Sequence, residues 1–346
     1  MLKRLKFFLV AVVGITLSAV VAFTAAAEEF YKGKTITFVV GFSAGGGFDT
    51  YTRLIARHFG KHVPGNPTTV VQNRTGAGSL IAANYIYNKA KPDGTVIGNW
   101  IGPLVLQQVM GNPAVKLDGR KLGWLGIPTP DSGVCALTKA SGIKSVDDWF
   151  ASKRPIKIGG TGPGSSTDDG PKILKVAIGL PIRVIEGYKG TAKIRLAAEA
   201  GEIDGGCWAW QSVKVTWRKA VESGNVRVVL QLMLESHPEL KDVPLAINYA
   251  KTAEARELLN VLANAYGATV RPYSVPPGTP KDRLRILQKA FMDTLRDPEL
   301  LKEAKKSRLE IDPTDGPTAA KLFAAMYDMK PALLSRLKEI IVPKKR

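Results

Sequence analysis

Gly41-Phe42-Ser43-Ala44-Gly45 spells G-x-S-x-G inside the stretch "ITFVVGFSAGGGFDTYTRLIARHF". That is the spacing of a nucleophile elbow, in which a serine on a tight strand-to-helix turn attacks an acyl carbon. Such a serine needs a histidine base within hydrogen-bond reach, and the chain has three histidines. His58 and His62 fall on the helix that leaves the loop, where they point away from its start. His237 lies in the turn-like "ESHPEL". A serine esterase built on Gly41-x-Ser43-x-Gly45 is therefore the alternative reading rather than the leading one.

Other chemistries fit these residues less well. Gly41 to Gly46 match the opening of a phosphate loop, but Gly47 and Phe48 stand where lysine and serine or threonine are required. The dinucleotide pattern fails at Thr50 in the first glycine loop and at Thr167 in a second one, "GGTGPGSST". His58 and His62 are separated by Phe59, Gly60 and Lys61, with no carboxylate beside the first histidine, so zinc is not expected. What remains is a glycine turn that brings backbone N–H groups close to an anion at a helix start. "GFSAGGGFD", "NRTGAGS" and "GGTGPGSST" repeat that construction. Three such loops at strand ends predict a carboxylate site.

The elements that must position these loops alternate along the chain. "TITFVV", "TTVVQN", "TVIGNW", "IKIGG", "IRVIEG" and "VRVVLQL" read as apolar strands. Tyr51, Leu54, Ile55, His58 and Phe59 recur at helical spacing, and "SLIAANYIYNKA" and "AKIRLAAEA" read as helices. This predicts an α/β protein with parallel or mixed sheets covered by helices on both faces. "GIPTPDSG" near residue 128 marks a break, and the punctuated "YSVPPGTP" precedes a region of helices only. A lobe that is left and later re-entered fits this order.

The N-terminus reads as a secretory signal: basic Lys3, Arg4 and Lys6, then "FFLVAVVGITLSAVVAF", then Ala25-Ala26-Ala27 ahead of Glu28. The formal net charge is +19 over 346 residues. Those charges are dispersed without aromatic interleaving, which disfavours a nucleic-acid groove and suits a field that draws in small anions. Cys135 and Cys207 are the two cysteines, and the sequence leaves their pairing open.

Taken in order, these loops resemble the Bug (TctC-like) family of periplasmic solute-binding receptors for tripartite tricarboxylate transporters. "KTITFVVGFSAGGGFDTYTRLIARHF", "VVQNRTGAGSLIAANYI", "KPDGTVIG", "IGGTGPGSS", "VIEGYKGTAKIRLAAEAGEIDG" and "YSVPPGTPKDRLRILQKAF" carry the resemblance. It implies a two-lobe Venus-flytrap fold, each lobe a mixed sheet flanked by helices. It also implies a monomeric, non-enzymatic periplasmic receptor that captures a small organic acid and delivers it to membrane subunits of such a transporter. Neither cofactor nor metal is implied. The expected divisions are a signal peptide over 1–27, the first lobe over 28–127, the second over 128–228, and a return to the first over 229–346.

Carried onto this sequence, the ligand contacts fall on Phe42, Ser43, Ala44, Gly45, Gly46 and Asp49 of the first loop and on Thr161, Gly162, Ser165 and Ser166 of the second. Tyr188, Lys189, Gly190, Asp204 and Trp208 would close over the other end. Departures from the family pattern include Gly41 in place of a frequent proline, Phe48 in place of a small polar residue, and bulky Trp208 and Trp210. A receptor that senses a carboxylate for a signalling partner has the same sequence features. Export is tested by mass spectrometry of the secreted protein, which should show a mature N-terminus at or near Glu28; a chain retaining Met1 overturns the signal-peptide reading.

Overall fold

The β-branched run ahead of the first glycine loop becomes β1 (Thr35–Val40), and the loop delivers the chain straight into α1 (Gly47–Phe59). Next come β2 (Thr68–Asn73), α2 (Leu80–Asn88), β3 (Val96–Asn99), α3 (Leu104–Val109) and β4 (Gly123–Ile127). A second series follows: β5 (Gly133–Thr138), α4 (Val146–Phe150), β6 (Ile156–Gly159), α5 (Ser166–Ile178), β7 (Ile182–Ile185) and α6 (Thr191–Glu199). It continues with β8 (Gly205–Ala209), α7 (Trp210–Thr216), α8 (Arg218–Glu222) and β9 (Val226–Gln231). The last part comprises α9 (Ala253–Val261), β10 (Tyr273–Val275), α10 (Lys281–Arg296), α11 (Pro298–Lys306), β11 (Thr314–Asp315), α12 (Gly316–Ala325) and α13 (Pro331–Ile341). This computed structural model describes residues 29–342, so the signal segment and its cleavage site lie outside the described residues.

Two mixed sheets result. The first has the order β11-β4-β10-β3-β1-β2 and the second β7-β6-β8-β5-β9. In the first, β1 is parallel to both β2 and β3, which the crossover helices α1 and α2 permit. In the second, β6 is parallel to β7 and β8, while β5 runs antiparallel to β8 and β9. The chain passes between the sheets at 128–132, just where the turn-rich break falls, and again over 232–272. Tyr51, Leu54, Ile55 and Phe59 of α1 are buried as their spacing predicts. His58 instead leaves the core and meets Glu303 at 3.0 Å.

Three details differ from the expected layout. The boundary at 228 falls inside β9, which stays paired with β5 through Gln231. Within the expected return segment over 229–346, α9 and α13 pack against α5, a helix of the second lobe. Leu337 and Ile341 are buried in one cluster with Ile173 and Leu174. The region after residue 272 also holds two short strands: β10 pairs antiparallel with β3 and β4, and β11 with β4.

Cys135 and Cys207 are opposed in the β5–β8 ladder and are joined in a disulfide that closes a separation of 72 residues. The wide loop restricts the unfolded chain, an effect worth roughly 2–4 kcal/mol. Replacing both cysteines by serine should lower the stability in urea by about that amount; an unchanged midpoint would count against a disulfide in the secreted protein.

Candidate functional site

Across the gap between the sheets, the first glycine loop meets the "GYKGTA" segment, and "NRTGAGS" meets the second glycine loop, "GGTGPGSST". The Ser43 N–H donates to the Lys189 carbonyl at 2.8 Å, and the Gly78 N–H donates to the Thr161 carbonyl at 3.0 Å. Both bonds join the first lobe to the second. They require close backbone approach, which side chains would prevent. A Cβ on Gly190 would lie 2.6 Å from Ser43 Oγ and 3.0 Å from Ser43 N. One on Gly46 would lie 2.9 Å from Thr191 Oγ1.

Behind this seam lies a narrow cavity with about 30 Å³ free to a water-sized sphere, room for roughly two waters. Two 13-residue helices start at it, α1 from the first lobe and α5 from the second. Neither start carries a side-chain cap. The N–H groups of Gly47, Phe48, Ser166 and Thr167 have no acceptor among the described residues. Each helix end bears about half a positive charge, and opening N–H groups of this kind bind anions.

The floor of the cavity is an ion pair. Arg271 Nη2 lies 2.6 Å from Asp131 Oδ1, and the arginine is only 1% exposed. Its Nε and Nη1 are buried and have no hydrogen-bond partner among the described residues. The guanidinium also sits over the rings of Tyr51 and Phe48, at 4.7 and 5.6 Å, where the ring faces attract a cation. Burial pushes the Asp131 carboxyl up to about 7 against the downward pull of Arg271. Trp208 Nε1 is a further buried donor without a partner. Unmet buried donors are costly, and an anionic acceptor in the cavity would relieve the cost.

Of the residues expected to touch a ligand, Phe42, Gly46, Thr161, Ser165, Ser166 and Trp208 line this cavity. Ser43, Lys189, Gly190 and Gly162 belong to the seam instead. Ala44, Gly45 and Lys189 are exposed, and Tyr188 is half-buried away from the cavity lining. Asp49 props the loop from beneath, accepting from Gly45 N–H and Arg53 at 2.9 Å each and from Asn73 at 2.9 Å. Burial pushes its carboxyl up, but those donors hold it below the usual range. Asp204 sits just before β8, at the opposite end of that strand from Trp208, and pairs with Arg154 at 2.8 Å and with the Lys157 N–H at 2.7 Å. It is a strut of the second lobe, and its oxygens are taken.

Arg271 and Asp131 were not among the expected contacts, nor were Thr191 and Ser212, which also line the cavity. Thr191 was within reach, because it lies inside the "GYKGTA" segment. A single arginine in the apolar "ATVRPYSV" was the one visible sign of the floor.

Among the described residues no histidine base faces Ser43. Its Oγ is buried without a partner, His58 meets Glu303, His62 meets Asp297 at 2.7 Å, and His237 lies 3.5 Å from Glu310. Two histidine–carboxylate groups lie close enough for a metal, His58 with Asp297 and Glu299, and His237 with Glu239 and Glu310. A lysine ammonium already stands among the oxygens of each. Lys61 is 2.7 Å from Asp297, and Lys214 is 2.9 Å from Glu239.

Residues 52–337 match the model of the tripartite tricarboxylate transporter family receptor, TctC. The chain belongs to that family. Its fold is that of the periplasmic binding protein BugD, with a TM-score of 0.72 at 20% identity over 91% of this chain and 100% of that one. MatC from Rhodopseudomonas palustris, solved with malate, gives 0.69 at 20% identity over 89% and 99%. A second R. palustris protein, solved with adipate, gives 0.70 at 19% identity over 89% and 97%. No curated protein sequence matches this chain. The family is one of periplasmic solute-binding proteins, and among the described residues no helix is long and apolar enough to cross a membrane.

The buried pair generates a stability prediction. Arg271→Met takes away the pull that favours ionised Asp131, so above pH 7 it should cost up to about 3–5 kcal/mol, and less as protonation relieves the buried charge, while adding Asp131→Asn should recover most of that loss. Urea unfolding measures both, and equal losses in the single and double variants would show that the pair is not the source.

Proposed function

We propose that this protein captures a small organic carboxylate between its lobes in the periplasm, as a monomer, and hands it to membrane subunits of a tripartite tricarboxylate-type transporter. One observation carries the reading: two uncapped helix starts, one from each lobe, share a cavity with the unpartnered donors of Arg271. An anion held there touches both lobes at once, so it favours the closed arrangement through contacts that the open one lacks. The malate and adipate in the two R. palustris structures support a carboxylate as the ligand class. Export through a cleaved signal and the lobe divisions near 128 and 229 belong to the same reading.

The alternatives predict different partners or chemistry. A sensing receptor would use the same cleft and hand its closed form to a signalling protein; neighbouring genes separate that from transport. The esterase reading requires Ser43 to meet a base, and the three histidines are engaged elsewhere.

A thermal-shift screen of mono-, di- and tricarboxylates tests the proposal. A ligand at one hundred times its Kd should add about 2.7 kcal/mol, and a screen without a single stabilising carboxylate would overturn it. Closure is tested by Gly190→Val, whose Cβ would lie 2.6 Å from Ser43 Oγ and 3.0 Å from Ser43 N. The variant should bind any ligand so found at least tenfold more weakly. It should also keep a larger radius of gyration in X-ray scattering than the liganded wild type. Unchanged affinity with an unchanged fall in radius would remove the seam from the mechanism.

A further inference from the structure

A second cavity abuts the first and shares Asp131, Ser166, Trp208 and Ala209 with it. It runs beneath a π-helical turn, Leu262–Gly267, a local irregularity often found at functional sites. Its far walls are apolar: Leu232, Leu262, Ala263, Val270 and the buried ring of Tyr266. Asp131 is the one charged side chain on its lining.

The charge balance of the pair of cavities is simple. Arg271 and Asp131 are the charged side chains that line them, and they cancel at 2.6 Å. The remaining positive character comes from the two helix starts, about half a unit each. Two nearby acids are offset by cations, Asp49 by Arg53 and Asp168 by Lys172 at 2.6 Å. Asp169 accepts from the neutral donors Tyr266 at 2.6 Å and Gln107 at 3.1 Å, and burial pushes its carboxyl up toward the uncharged form. One carboxylate is therefore balanced. A second carboxylate on the same ligand would reach toward Asp131 and apolar walls with no cation to meet it.

We infer, resting on the carboxylate-receptor reading above, that the ligand is a monocarboxylate with an apolar body. Its carboxylate lies between the starts of α1 and α5 and accepts from Arg271. Its apolar end points past Trp208 toward the cavity under the π-helical turn, whose free volume of about 30 Å³ must widen to take it. Phe42 and Phe48, 4.5 Å apart between ring centres, form the aromatic side of the first cavity. They favour a flat or branched hydrocarbon body over a hydroxylated one.

Isothermal titration of the full-length mature protein with benzoate, phenylacetate, 4-methylpentanoate, acetate, malate and adipate tests this. At least one of the three apolar monocarboxylates should bind tenfold or more tightly than acetate, malate and adipate. Ala263→Phe fills the second cavity from a half-buried position. It should remove most of that advantage while leaving acetate binding within about twofold, with circular dichroism checking the fold. Malate or adipate binding as tightly as the best monocarboxylate would overturn the inference and leave the receptor reading intact. An undiminished advantage in a folded Ala263→Phe would overturn the place assigned to the apolar end. Failure of every acid in a wider carboxylate screen would remove the receptor reading itself.

Discussion

The contact between Arg271 and Asp131 joins the two stretches of chain that pass between the sheets. Asp131 lies in the crossing at 128–132 and Arg271 lies one residue before the proline that leads into β10. Both residues are buried, so neither charge is tolerable without the other. The pair therefore holds the two crossing segments side by side and forms the floor of the cleft in the same contact. The Asp131 N–H donates to the Gly267 carbonyl at 2.8 Å, which fixes the end of the π-helical turn to the same place. Crossing segments, floor and cavity wall are thus one connected unit.

Above that floor, the cavity is shaped by backbone more than by side chains. The first glycine loop is stiffened by Asp49 and Asn73, whose amide also donates to the Phe42 carbonyl at 2.8 Å. The third glycine loop contributes Gly78, which reaches the second lobe directly. Polar side chains near the loops thus mostly shape the backbone, and the backbone faces the cavity. Aromatic residues then set the lateral walls, with Trp208 stacked on Trp217 at 5.4 Å.

How much of this the sequence discloses follows from the range of each interaction. The glycine loops, the strands before them and the helices after them are local patterns, and they stand where the pattern puts them. The break near 128 coincides with the chain's passage to the second sheet, and "YSVPPGTP" begins with β10, where the chain rejoins the first sheet. Asp204 misleads because proximity in sequence to Trp208 hides the length of β8, which puts the two at opposite ends. The floor is hidden for the opposite reason. Arg271 and Asp131 are far apart in sequence, sit in segments without periodicity, and acquire meaning only when the crossings lie together. The lobe assignment of α9 and α13 is concealed similarly, since an amphipathic helix does not announce which partner receives its apolar face.

The two backbone bonds across the seam bear on timing. They involve the Ser43 and Gly78 amides and the Lys189 and Thr161 carbonyls, and the ligand takes no part in them. Both must break before anything enclosed can leave. Breaking them is a cost of opening that every ligand shares, and it sets a common ceiling on dissociation. A ligand that bridges the lobes adds its own contacts to that cost, so ligands that grip both lobes more firmly fall further below the ceiling. Loosening Lys189 from Ser43 would raise the ceiling for all of them and leave the ligand's own share of the cost in place.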